Sequence, residues 1–248
     1  MRVSVLFPLL ASGIIGASPL LAPRLHAQDR ALDWPTIEVT AHLDADGRLR
    51  VQERQTIRLS GDWNGPERRF DVRIGQSLVL HSLTRLDSLT GTEVALRQGS
   101  LDAVDEYRWF DGYTLRWRSR LPNAPPHDNT IIPYTLDLSF DGILRPGNSE
   151  NRYILDHDFA FADRWDSIDR FVLALTLDPV WEAPPEFTGR FDTGPLQPGY
   201  GFTVTVPLLY TGTAKPAAVI HGAEFAERLL IAQGLILVAL VLVLRLVF

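Results

Sequence analysis

"IEVTAHLDADGRLRVQERQTIRL", Ile37 to Leu59, decides the fold class. Its first seven residues alternate, with Ile37, Val39, Ala41 and Leu43 apolar and polar residues between them. A period of two is the mark of a half-buried strand. Asp44 to Gly47 then supply turn chemistry, and Leu49, Val51, Ile57 and Leu59 resume the alternation on the way back. The reading is a hairpin. One feature strains it: Glu53 and Gln55 fall on the apolar parity, so strict alternation aims a carboxylate at the core, where an unpaired charge is costly. Either a bulge turns Glu53 outward or a cation meets it. Arg68 and Arg69 follow the glycine-bounded turn "SGDWNGPE", which leads a neighbouring strand back alongside. A planar guanidinium suits a confined carboxylate. We therefore expect a structural ion pair between Glu53 and Arg69 or, failing that, Arg68.

The same alternation recurs over residues 30–213. "YRWFDGYTLRWRSR" (107–120) carries the Asp-Gly pair that two-residue hairpin turns prefer. "PYTLDLSFDG" (133–142) and "YGFTVTVPLL" (200–209) repeat the pattern. "RFVLALTLDP" (170–179) is apolar at nearly every position, as a strand covered on both faces would be. "LPNAPPHDN" (121–129) is a loop, because its prolines cannot donate to a ladder. Many short strands joined by Gly, Pro and Asp turns predict an all-β domain, an antiparallel β-sandwich that is Ig-like in style.

The ends differ in kind. Residues 1–27 combine an early arginine, an uncharged apolar run from Val3 to Ala22 and a small residue, Ala27, before Gln28. That layout is a secretory signal peptide. Residues 214–227 read as a linker. Residues 228–248 read as a transmembrane helix, for twenty helical residues span about 30 Å, the thickness of a bilayer's hydrocarbon core. Arg245 lies where its long side chain reaches the headgroups. The expectation is a single-pass protein of the cell membrane, partnered with the lipid bilayer through its C-terminal helix, with its domain on the extracytoplasmic side.

Composition narrows the function. With no cysteine, the chain has neither disulfides nor a thiolate nucleophile or metal ligand. The formal charge is -6 and the arginines are scattered without a basic block, which argues against a nucleic-acid partner. No cofactor motif is present.

The densest chemistry is "YILDHDFAFADRWDSID" (153–169). The calcium-loop spacing is missing, and His157 has no histidine at i+2 or i+4 for zinc. The plain reading is a strand end followed by a solvated turn. If the segment binds anything, Asp156, His157 and Asp158 are the residues, either through a cation that relieves two like charges or through an arginine. No G-x-S-x-G elbow occurs, and no catalytic or metal-binding residue is assigned. Tyr107, Trp109, Tyr113 and Trp117 would form either a stacking platform for sugar or part of the core, and aromatics on a pleated sheet favour the core.

"DGRLRVQERQTIRLSGDWNGPERRF" resembles the opening of predicted membrane proteins grouped as domain of unknown function 2207, with Gly47, Val51, Glu53, Gly61 and Arg69 (or Arg68) at the corresponding places. "YTLDLSF" and "DRWDSIDRFVLALTLDP" are similar to that family's second half. The resemblance spans roughly residues 35–182. It implies an extracytoplasmic β domain tethered to a membrane, with no known activity. The family usually continues into further membrane helices, whereas this sequence stops at Phe248. Two functional expectations follow: a non-enzymatic module that binds an envelope protein or other envelope component, or a carbohydrate-binding or carbohydrate-active module on a membrane stalk.

Overall fold

The computed structural model describes residues 30–219, so the signal-peptide and membrane-helix expectations lie outside the described residues. Among the described residues there is no helix, hence none long and apolar enough to cross a membrane. The strands are, in order, β1 (Ala31–Leu43), β2 (Leu49–Gly61), β3 (Glu67–Arg69), β4 (Ser77–Leu86) and β5 (Glu93–Ala95). There follow β6 (Arg97–Gln98), β7 (Glu106–Phe110), β8 (Thr114–Trp117), β9 (His127–Asp141) and β10 (Leu144–Pro146). The last five are β11 (Arg152–Asp158), β12 (Ile168–Leu177), β13 (Trp181–Glu182), β14 (Arg190–Thr193) and β15 (Thr203–Tyr210). The protein is all-β.

Seven strands form the main sheet in the order β14-β12-β1-β2-β9-β4-β5, and two four-stranded sheets run β10-β11-β15-β13 and β3-β8-β7-β6. β1 and β2 are the expected hairpin: Leu43 faces Leu49 across the turn, and Gly47 takes φ 89 there. Inward residues of the main sheet meet both smaller sheets. Tyr134 of β9 packs edge-on against Trp117 of β8 at 5.4 Å, and Phe140 of β9 against His157 of β11 at 4.7 Å. The smaller sheets thus share one face of the large one and bury a common core. Its other face carries polar residues such as Glu38, Gln52 and Arg54.

Two features correct the sequence reading. The sheets are not antiparallel throughout, because β12 runs parallel to β1 from Trp34↔Ile168 to Leu43↔Leu177, and β6 parallel to β7. Alternation shows that a strand has one buried face; it carries nothing about the direction of its partner. Nor is β12 covered on both faces. Phe171, Leu173 and Leu175 are buried, while Val172 and Ala174 between them are only partly so. Past the last strand, Gly142 N–H donates to Ala218 O, Ala218 N–H donates to Asp46 O, and Val219 is buried. The first residues of the sequence-assigned linker are therefore stitched back onto the β1–β2 turn.

Candidate functional site

Glu53 is the natural starting point. On β2 it faces Val39 of β1 and Leu136 of β9, and it is 2% exposed. No bulge turns it out. Arg68 of β3 meets it, donating from Nε to both carboxylate oxygens (3.1 and 3.3 Å) and from Nη2 to Oε2 (3.1 Å). The expected partner, Arg69, is therefore corrected to Arg68. The reason is strand parity: Arg68 pairs with buried Leu115 of β8 and shares its inward side, whereas Arg69 points out and donates to Asp163 at 2.9 Å. Arg68 Nη1 also donates to Arg69 O, Gln55 Nε2 donates to Glu53 Oε1, and Trp34 Nε1 donates to Gln55 Oε1 at 2.9 Å. The guanidinium lies between the rings of Phe70 (4.5 Å) and Phe161 (4.2 Å). Every charged atom of this buried pair has an opposite charge, a hydrogen bond or an aromatic face against it.

Outside this lock opens a cleft of about 520 Å³. Its floor is Arg68, Arg69 and Phe70. Asp71, Val72, Arg73 and Gln76 form one wall, and Asp111 with Tyr113 the hairpin rim. The far wall is Asp156, His157 and Asp158 at the end of β11 with Phe161 to Asp163 beyond it. All three β11 residues singled out from sequence thus sit in one cavity. Asp156 accepts from Arg73 Nη1 (3.0 Å) and Thr205 Oγ1 (3.0 Å), and Arg145 Nη2 lies 3.2 Å away. The Arg73 hydrogen bond holds its carboxyl below the usual range. Asp158 accepts instead from the N–H groups of Phe202 (2.6 Å) and Ala160 (3.1 Å), and burial pushes its pKa up despite them. Among the described residues no group of three or more His, Asp or Glu side chains is placed to hold a metal ion.

His157 lies between Phe140 and Phe159, edge-on to both. Burial, then the positive charges of Arg68 and Arg73, bring its pKa down to about 3, with Asp156 opposing. The ring is therefore neutral near pH 7. Histidine unfolds to a pKa near 6.5, so between that value and about 3 the unfolded chain binds a proton that the folded ring refuses. Stability from this site is fully present above about pH 6.5 and falls as the pH drops, by up to about 1.4 kcal/mol per pH unit. Asp158, with its raised pKa, contributes in the opposite sense. Urea midpoints at pH 7 and pH 5 should diverge less in His157→Phe than in the parent. An equal loss in both proteins would place the acid sensitivity elsewhere.

The remaining residues around the cleft were only partly foreseen. The predicted hairpin forms, but its loop has three residues and not two, since Phe110 pairs with Thr114; Asp111 (φ 48) and Gly112 (φ 80) turn the chain, and Asp111 Oδ1 accepts from the N–H groups of Tyr113 and Thr114. Of the aromatic set, Trp117 is in the core and Tyr107 and Trp109 pack against it, while Tyr113 stands 49% exposed at the cleft rim. Arg164, 8% exposed, donates to the carbonyls of Phe161, Leu196, Gln197 and Tyr200 and so clasps two loops together. The composition "FAFADRWD" gave the aromatic signal for this region but not the clasp.

No protein-family model matches the sequence, and no curated protein matches it. Solved structures similar to the chain include a single-residue variant of the M1 zinc metallopeptidase from Deinococcus radiodurans, at 11% identity and TM-score 0.43, covering 74% of this chain and 43% of that one. The unsubstituted enzyme from the same organism is similar at 10% identity and TM-score 0.40, with the same coverages. A candidate protease from Parabacteroides distasonis is similar at 12% identity and TM-score 0.36, covering 72% of this chain and 40% of that one. The chain spans less than half the length of each of these structures.

Proposed function

We propose that the chain is an extracytoplasmic β-sandwich, Ig-like in style, held at a membrane by its C-terminal apolar segment, and that it serves the cell envelope as a binding module rather than an enzyme. Its ligand site is the cleft between β3 and β11. One observation carries the reading: the two carboxylates of β11 on the cleft's far wall are already committed to structural partners. Asp156 belongs to Arg73 and Arg145, and Asp158 to two backbone N–H groups. Preset walls of this kind favour recognition, since a general base needs a free site within reach of a substrate proton. The resemblance to domain of unknown function 2207 agrees with this assignment and brings no activity with it. A second reading, a carbohydrate-binding or carbohydrate-active module, is favoured by exposed aromatic surface beside the cleft.

Two measurements test the proposal. Protease added to spheroplasts should digest the domain; protection would reverse the topology. A photoreactive phenylalanine in place of Tyr113 should give a light-dependent adduct with an envelope component in intact cells. The same group in place of Leu89, which is 95% exposed and lies outside the cleft, should give none. Absence of an adduct at position 113, or equal adducts at both positions, would remove the cleft as the site.

A further inference from the structure

β3 underlies two hollows. Arg68 and Arg69 line the large cleft, while Glu67 and the preceding Pro66 line a second cavity of about 170 Å³. Phe161 and Asp163 border both, so the hollows are neighbours, and the exposed Arg69–Asp163 ion pair stands between them. The smaller cavity is walled by Trp63 and Trp165, whose ring centroids lie 6.1 Å apart at 60°. Arg30 covers Trp63 at 5.0 Å, which leaves the Trp165 indole, 71% exposed, as the open aromatic face. The backbone that carries it is anchored, because the adjacent Arg164 is the buried clasp on four backbone carbonyls. An indole combines a broad apolar face with a polar N–H, which suits it to a contact surface. At the rim, Glu67 accepts from Arg116 at 2.6 Å.

Resting on the ligand-site reading above, we propose that the two hollows form one groove for a linear, neutral oligosaccharide. One ring lies on Trp165 above the smaller cavity, and the following rings enter the larger cleft. The chemistry matches in three respects. A sugar ring offers an apolar C–H face to an indole. Each of its hydroxyls both donates and accepts, and walls of alternating carboxylates and guanidiniums serve both roles. Five aspartates against three arginines line the large cleft, which disfavours an anionic polymer. Extension across both hollows makes affinity depend on chain length.

The test is calorimetric titration of the full chain, in a non-glycosidic detergent, with hexasaccharides of β-1,4-glucose, α-1,4-glucose and β-1,4-N-acetylglucosamine and with the corresponding monosaccharides. At least one hexasaccharide should bind tenfold or more tightly than its monomer. Trp165→Ala should abolish that gain, and Trp165→Tyr should keep most of it. Silence from all three hexasaccharides, or a gain that survives Trp165→Ala, would overturn the inference. If the saccharides are silent while position 113 captures a protein, the glycan assignment fails and the cleft remains a site. If position 113 captures nothing either, both readings fall.

Discussion

Arg68→Met should destabilise the protein by about 3–5 kcal/mol, the range for stripping one partner from a buried ion pair. The loss exceeds that of a surface salt bridge because Glu53 is left charged, 2% exposed and flanked by Val39 and Leu136 on the neighbouring strands. Glu53→Gln should cost less, about 2–3 kcal/mol, since the amide oxygen still accepts one hydrogen bond from the guanidinium. The informative protein is the double variant. With both charges gone, little remains to be compensated, so its loss should fall well short of the sum of the two singles. Urea denaturation of the four proteins reads this directly. Additive losses would mean that the two side chains act independently, against the geometry of three hydrogen bonds between them. His157 gives a second readout: its pKa should rise in Arg68→Met, because one of the charges holding it down is gone.

Arg164→Met is expected to cost about 2–4 kcal/mol, by leaving the carbonyls of Phe161 and Tyr200 without donors and taking one of two donors from those of Leu196 and Gln197. Arg164 ties the segment after β11 to the loop before β15, and burial, helped by the positive charge of Arg68, holds its pKa down, with Asp158 acting against that. Arg164→Lys should not restore stability. An ammonium is a compact point on a flexible stem and cannot reach carbonyls spread along two loops as a planar fork does. Hydrogen exchange should then quicken at Ile168 and Leu196, whose N–H groups bond to each other's carbonyls beneath the clasp. Unchanged exchange there would show that the two loops hold together without Arg164.

Much of this was legible in the residues, and what was not has physical reasons. Parity alone put Glu53 inside, since a period of two assigns every side chain on a strand to a face. It could not choose between Arg68 and Arg69, because β3 is three residues long and its register is fixed by β8, more than forty positions later. The Asp111-Gly112 turn was readable because its chemistry is local. The cleft was half readable: Asp156 to Asp158 and Phe161 lie in one stretch of sequence, but Arg69, Arg73 and Asp111 arrive from separate segments. The Trp63–Trp165 contact and the Arg164 clasp join loops whose sequences carry no mark of each other. The parallel partner of β1 was invisible for the same reason.

That parallel pair has a consequence for how the chain comes into being. His42 and Thr176 hydrogen-bond across it at 2.8 Å, although 134 positions separate them. The first hairpin can form as soon as β2 is made, but one edge of β1 stays open until β12 arrives. At the usual pace of synthesis, about 5–20 residues per second, the wait from the end of β2 to the end of β12 is roughly 6–23 s. Throughout it the nascent protein offers a long strand edge with unpaired amides, the kind of surface on which chains aggregate. A ribosome stalled before residue 168 therefore carries a main sheet that still lacks β12 and β14. Fragments ending there should need a holdase to stay in solution.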